Sequence, residues 1–421
     1  MSLVRNIYFF FSSYANEHER SVGQFFGTLT EHNNQAQTRA RLKSLLQRDI
    51  AALNLWTEYA YKGYRYLKKS KRRELYANLD LIAADFERFR QAHPGSSLLA
   101  HHTIASVSQS KADPERLNII QQLLDYFSPE RGLYVYQASS SFGRLLQNPS
   151  KDTLVGDCNQ IVTLYIYLYS RYFDVSDLQV RLFPGHVALH YGGIDIEATN
   201  GTVTNYQHTK EARLLPVEEI VSVNLLDTSD LYLTTHEVSP KEFLQAARFS
   251  HLLSHERHLT QHNLEAAYSS LITMLMKRER FMPALEYAKQ SRDIHLRGVV
   301  GNNGAIYYMR HNDFKSARRF AEFAPKRSEL VKESYISEGT YHYNAHRYQA
   351  AIDAFKHAGS EPMIRRCYEA LFFAEQSKLG THLDTKTIAR HSKTIHHMSQ
   401  YAKKSANSQL IAQANNLKKY L

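Results

Sequence analysis

Cysteine is scarce. The 421 residues hold two, Cys158 and Cys367, which excludes the multi-disulfide framework of small secreted domains and fits a reducing interior. Long apolar runs are missing too: nothing approaches the roughly 20 residues that cross a bilayer as a helix. The nearest candidate, Ile7 to Phe11 behind a single Arg5, is short for a signal peptide and has no small-residue cleavage site. It reads as the buried edge of a first helix or strand, in a chain expected to be cytoplasmic. With 43% hydrophobic and 22% charged residues, wholesale disorder is excluded. The length is too great for one compact core and predicts two or three domains. Lys and Arg number 52 against 41 Asp and Glu, a net charge of +11 that favours contact with acidic surfaces.

Residues 1 to about 100 hold little Pro or Gly and read as helical, with leucines at helical spacing at Leu42, Leu45 and Leu46 and near Leu75, Leu79 and Leu81. The breaker cluster His93-Pro94-Gly95-Ser96-Ser97 marks a boundary. A further helix is predicted from Pro114, with Asp113 as N-cap, through Ile119 and Leu123 towards Phe127. Between Asn148 and Val223 the character changes. Leu164 to Phe173 is apolar and rich in tyrosine, and Leu178 to Phe183 alternates as a strand does. Val187 to Tyr191 and Ile194 to Ala198, joined by Gly192-Gly193, predict a hairpin with a primed turn. No other convincing β region is visible.

From about Ser239 the pattern is helical again and repeats. Phe281 to Ala288, Phe314 to Ala321 and Tyr348 to Phe355 align, their leading aromatics 33 and 34 residues apart. Each block follows another helix-like run, such as Gly304 to Tyr308 or Gly339 to Tyr343. A period of about 34 with small residues at fixed offsets is the signature of tetratricopeptide helix pairs. Ala and Gly let neighbouring helices approach, and the aromatics fill the gap.

One constellation could carry chemistry. Gly156-Asp157-Cys158 leads into the apolar helix, with Asp157 as candidate N-cap and Cys158 in the first turn. A helix N-terminus stabilises a thiolate, and Gly156 would let a substrate or the backbone approach closely. Pro184-Gly185-His186 places His186 at the start of a strand, where it can serve as the base. If Gly192-Gly193 is a two-residue turn, Tyr191 faces Ile194, His190 opposes Asp195, Ala188 opposes Glu197 and His186 opposes Thr199, all but the first pair on one face. Glu197 is then diagonal to His186 and is the better orienting partner; Asp195 pairs with His190 or lies towards the rim. The backbone N–H of Cys158 could donate to an oxyanion. No motif identifies a second donor, although Gln137 and Gln147 lie upstream.

These residues resemble the transglutaminase-like superfamily: Gly-Asp-Cys opening an apolar helix, Pro-Gly-His opening a strand, and Glu197-Ala198-Thr199-Asn200-Gly201 closing a hairpin. The closest likeness is to the subgroup that joins such a core to tetratricopeptide repeats, which commonly carries Asp-Pro-Phe-Asn-Gly at the last position. The likeness covers roughly Leu117 to Val223 plus the repeats. It implies a papain-like core in which Cys158 is the nucleophile, His186 the base and Glu197 the third, carboxylate member in place of Asp. It also implies acyl chemistry on peptide or isopeptide amides; hydrolysis rather than cross-linking is expected because nothing in the sequence shows a site that excludes water, and no cofactor or metal is expected. The fold class expected is α+β and mostly helical, with an N-terminal helical region (1–100), a transglutaminase-like core with a small antiparallel sheet (101–225) and a C-terminal tetratricopeptide-type array (226–421). A protein or peptide partner is expected on the repeats, with a catalytically inactive scaffold as the alternative.

Three features read more simply. Cys367, beside Arg365 and Arg366, packs between helices. His251, His255, His258 and His262 step by 4, 3 and 4 along what would be one helical face, as a solvated or groove-facing stripe rather than a zinc site. Seven cations and no acid lie between Lys62 and Arg73, interleaved with Tyr64 and Tyr66. Without a nucleic-acid-binding motif this is read as a solvated face or a surface for an acidic protein, and nucleic acid is not the expected partner.

Overall fold

The computed structural model describes residue 9 and residues 11–94, 113–138, 141–206, 209–226, 238–380 and 385–421, with the backbone alone at 385–387. Two compact units emerge, Met1–Leu271 and Ile272–Leu421. The described chain is mostly helical with a small antiparallel sheet, compatible with the α+β class. Among the described residues no helix is long and apolar enough to cross a membrane.

The first unit opens with helices α1 (Glu17–Gly27), α2 (Gln35–Ala60) and α3 (Lys69–Ala92). Helix α2 kinks at Asp49 (φ −171°, ψ 89°), whose carboxylate accepts the amide of Ala52 at 2.8 Å and caps the second half. Leu42, Leu46, Leu75 and Leu79 are buried as their spacing predicts, whereas Leu81 is 45% exposed and Ile82 takes the inward position. In the apolar block near the start, Phe9 is buried but Phe11 is 82% exposed, against expectation; Ile7, Tyr8 and Phe10 lie outside the described residues, as do Gly95 to Ser97 of the breaker cluster. Helix α4 (Pro114–Tyr126) starts on Asp113, whose carboxylate accepts the amides of Glu115 and Arg116.

A short parallel pair follows, β1 (Tyr134–Tyr136) beside β2 (Leu154–Gly156), with α5 (Phe142–Leu145) between them. Sequence periodicity missed this sheet because its strands are three residues long. Helix α6 (Cys158–Tyr169) is buried at almost every position, so its apolar all-round composition makes it a core helix. The main sheet is β3 (Gln179–Phe183), β4 (His186–Tyr191), β5 (Ile194–Glu197), β6 (Thr202–Thr204) and β7 (Arg213–Pro216), in the order β6-β5-β4-β3-β7, antiparallel throughout. Helices α7 (Glu219–Leu226), α8 (Pro240–Leu253) and α9 (Arg257–Lys277) follow. One continuous core joins Val22, Phe26 and Leu46 of the opening helices to Ile161 and Leu164 of α6 and to Val180, Leu189 and Ile196 of the sheet.

The basic stretch is a solvated face only in part: Arg65, Lys68 and Arg73 are exposed, but two of its cations are buried. Arg72 is fully buried, with Nε 2.7 Å from Glu19 Oε1 and its guanidinium 4.0 Å from the centre of the Tyr59 ring. Lys62 is buried too. Lys69 Nζ donates to Ser12 O at 2.6 Å and Arg73 to Phe9 O at 3.0 Å, so these cations secure the opening segment.

The second unit is a helical array: α10 (Phe281–Gln290), α11 (Ile294–Arg310), α12 (Phe314–Ala321), α13 (Arg327–Asn344), α14 (Tyr348–His357), α15 (Glu361–Gln376), α16 (Thr385–Arg390), α17 (Ser392–Ser405) and α18 (Ser408–Lys418). The three aligned blocks open α10, α12 and α14 at their leading aromatics. A Cβ on Gly304 would overlap the Phe320 ring, and one on Gly339 would come within 2.6 Å of Phe355 Cδ1. The small residues therefore make room for aromatics of the following helix. The turns repeat as well: Glu279, Asn312 and His346 all have positive φ (57°, 59°, 55°). The next amide in each case, of Arg280, Asp313 or Arg347, donates to the carbonyl of Leu275, Tyr308 or His342, the wider hydrogen bond of a Schellman turn. Cys367 is buried among Ile352, Phe355 and Ile364, and burial pushes its thiol up to about 11.

Candidate active site

The site is built at the start of α6. Asp157 Oδ1 accepts the amides of Asn159 (3.0 Å) and Gln160 (3.2 Å), and Gln160 Oε1 accepts the amide of Asp157 (2.8 Å). This capping box holds Cys158 at the positive end of the helix. At Gly156 the close approach is made by the protein itself. The residue is buried, a Cβ there would come within 3.2 Å of Leu145 Cδ1, and its carbonyl accepts the Tyr134 hydroxyl and the Gln137 amide. Packing against Leu145 favours a small residue there.

His186 opens β4 directly after the Pro184–Gly185 turn, where Gly185 has φ +74°. The β4–β5 register pairs Tyr191 with Ile194, His190 with Asp195 and Leu189 with Ile196, as the Gly192-Gly193 turn predicts. Thr199 lies beyond the end of β5 instead of pairing across from His186, and it turns back onto Glu197.

Glu197 Oε2 lies 2.6 Å from His186 Nε2 and accepts the Tyr206 hydroxyl at 3.0 Å; its Oε1 accepts the Thr199 hydroxyl at 2.5 Å. With Nε2 engaged by Glu197, Nδ1 is the ring nitrogen left available to Cys158. The Cys158 and Glu197 hydrogen bonds, in that order, raise the His186 imidazole to about 10, against a smaller effect of burial. Burial pushes the Glu197 carboxyl up, but the hydrogen bonds from His186 and Thr199 outweigh it and hold the group below its ordinary range. Asp195 serves elsewhere. It accepts from Arg181 Nε (2.8 Å) and the Tyr206 amide (2.7 Å) and lies 2.6 Å from His190 Nδ1.

Cys158 is 7% exposed and lies with His186 on the wall of a cleft of about 850 Å³. Apolar walls come from Leu182, Phe183, Val223 and Leu259. Neither upstream glutamine supplies an oxyanion donor. Gln147 Nε2 donates to Arg144 O, and Gln137 sits between Tyr136 and Ala138, which do line the cleft. Asn159 does line it, and its Oδ1 lies 3.7 Å from Cys158 Sγ.

Three residues at the site carried no signal strong enough to single them out. Thr199 lies two positions after Glu197 in the hairpin-closing segment, Asn159 follows the cysteine, and Tyr206 comes from the segment after β6, without a pattern. The histidine stripe is broken: His251 is in α8, His258 and His262 are in α9, and the chain turns at Ser254 to Glu256 between them. Among the described residues no group of three or more His, Cys, Asp or Glu could hold a metal ion. No protein-family model matches the chain, and no curated protein matches it.

Proposed function

We propose that this chain is a transglutaminase-like cysteine hydrolase that cleaves peptide or isopeptide amide bonds, with a tetratricopeptide-type array that recruits a protein substrate or partner. The observation that carries the reading is that Cys158 and His186 share the wall of one cleft while His186 Nε2 lies 2.6 Å from Glu197 Oε2 behind it. In the proposed reaction the Cys158 thiolate attacks the amide carbon, and the carbonyl oxygen becomes an oxyanion near the helix start. His186, held as imidazolium by Glu197, gives its Nδ1 proton to the leaving nitrogen as the C–N bond breaks. Water then adds to the thioester, its proton passes to His186, and the acid product leaves while the thiolate re-forms. Glu197 orients the ring and balances its charge without itself carrying a proton. An amide-based thiol-reactive probe is expected to label the wild-type chain at Cys158 and to spare Cys158→Ala. Equal labelling of both, or labelling at Cys367, removes the nucleophile assignment.

The second reading is a catalytically inactive core beside a binding array. It is favoured by the placement of Gln137 and Gln147, neither of which offers the site a second oxyanion donor. Turnover separates the two: release of amine from an amide substrate by the parent and its loss in Cys158→Ala support the first reading, and no release by the parent supports the second.

A further inference from the structure

The positive charge is not spread over the chain. Residues 1–271 hold 27 Lys and Arg against 28 Asp and Glu, whereas residues 272–421 hold 25 against 13. The net charge of the whole chain therefore resides in the helical array.

Within the array, cations gather at the repeated turns. The turn from α9 to α10 carries Lys277, Arg278 and Arg280, that from α11 to α12 carries Arg310, and that from α13 to α14 carries Arg347; all five are exposed. Among the described residues none of the five is in an ion pair. The carboxylates of these turns are occupied internally. Asp313 accepts the Ser316 amide at 3.0 Å to cap α12, and Glu279 accepts the Tyr307 hydroxyl at 3.4 Å.

Helix stability accounts for Lys277 and Arg310, each in the last turn of its helix, but not for Arg280 and Arg347. A cation at a helix C-terminus offsets the macrodipole, but Arg280 and Arg347 are the N-caps of α10 and α14, where the dipole disfavours positive charge and where neither side chain makes a capping bond. Asp313, at the equivalent position before α12, shows the residue that local physics selects. Two repeats thus forgo a favourable cap to keep a cation at this edge.

We propose that this edge of the array is a docking surface for an acidic protein segment. Because the three turns share one backbone geometry in stacked hairpins, they fall along a single edge. Neighbouring packed helices are about 8–10 Å apart, and an extended chain advances about 3.3 Å per residue. A carboxylate at every third residue therefore matches the ridge. Single-stranded nucleic acid fits less well, since it needs open aromatic faces to stack on. Among the turn-proximal aromatics Tyr341 is exposed, but the Arg347 guanidinium already sits over its ring at 5.1 Å.

The test uses the full chain and fluorescence anisotropy with three labelled probes: an 18-residue Gly/Ser peptide with Glu at every third position, an isomer with the same Glu residues in one block, and a 20-nucleotide single-stranded DNA. The periodic peptide is expected to bind tightest and to weaken with added salt. The charge reversals Arg280→Glu, Arg310→Glu and Arg347→Glu together are expected to weaken it at least about tenfold, whereas the control Lys326→Glu, in the connection before α13, leaves it unchanged. Circular dichroism melts confirm that both variants fold. Absence of binding, preference for the DNA, equal affinity for the two peptides, or equal loss in the control each overturns the proposal.

Discussion

The Glu at the third position does not cost the imidazole its partner. Its longer arm reaches His186 Nε2 at 2.6 Å because Thr199 and Tyr206 hold the carboxylate from the other sides. Glu197→Gln keeps the shape and removes the charge. His186 is then expected to titrate well below its value of about 10 in the parent, read by NMR of the ring carbons, and labelling of Cys158 is expected to fall roughly 10²-fold. Tyr206→Phe removes one hydrogen bond to Glu197 and leaves the His186 contact, so its effect on labelling should be much smaller, about tenfold or less. The sign of the pH effect follows from the same pair. His186 is raised above its unfolded value of 6.5, so its contribution to stability is full below pH 6.5 and disappears as pH rises through about 10. Glu197 is lowered, so its contribution is present above pH 4.5 and is lost as pH falls through its depressed value. Urea midpoints for the parent and Glu197→Gln should converge at both extremes and differ most between them.

At the scale of the element, the helix start positions the sulfur and the glycines position the repeats. Asp157→Ala is expected to cost about 1 kcal/mol through loss of the N-cap, measured as a shift in urea midpoint. It should lower labelling of Cys158 as well, since the first turn of α6 loses its anchor. In the array, Gly339→Leu forces a branched side chain into the space of Phe355, a clash expected to destabilise by about 1–3 kcal/mol. Calorimetry on the full chain should show that loss in the transition that Cys158→Ala leaves unchanged. Gly185 illustrates the converse. Nothing crowds its missing Cβ, and its φ of +74° alone demands glycine.

Across the whole molecule, the buried Glu19–Arg72 pair, with Lys69 and Arg73, ties the opening segment to the body of the first unit. Arg72 donates to Ser13 O at 2.7 Å as well as to Glu19. Glu19→Ala strands a buried guanidinium and is expected to cost about 3–5 kcal/mol, whereas reversing exposed Lys326 in the array should move stability by less than about 0.5 kcal/mol. Protease resistance of the opening helices should fall in the first variant and not in the second.

Local chemistry in the chain was enough for the helix start at Asp157, the Gly192-Gly193 hairpin and its register, and the aromatic repeats, because caps, tight turns and 34-residue periods act between neighbours or recur. The pairing of Asp195 with His190, and so the freedom of Glu197 to serve His186, was half legible: alternation placed the carboxylates on one face, but Arg181 from β3 decided between them. What lay beyond local reach was decided by packing. A run of seven cations looks solvated in one dimension, yet Glu19, 53 residues before Arg72, draws that arginine into the interior. Tyr206 reaches Glu197 only because the sheet brings the two together, and Gly156 backs onto Leu145 for the same reason. Charge and periodicity are properties of a sequence; burial and the partner of a buried charge are properties of the fold, since both depend on which distant residues close the cavity around them.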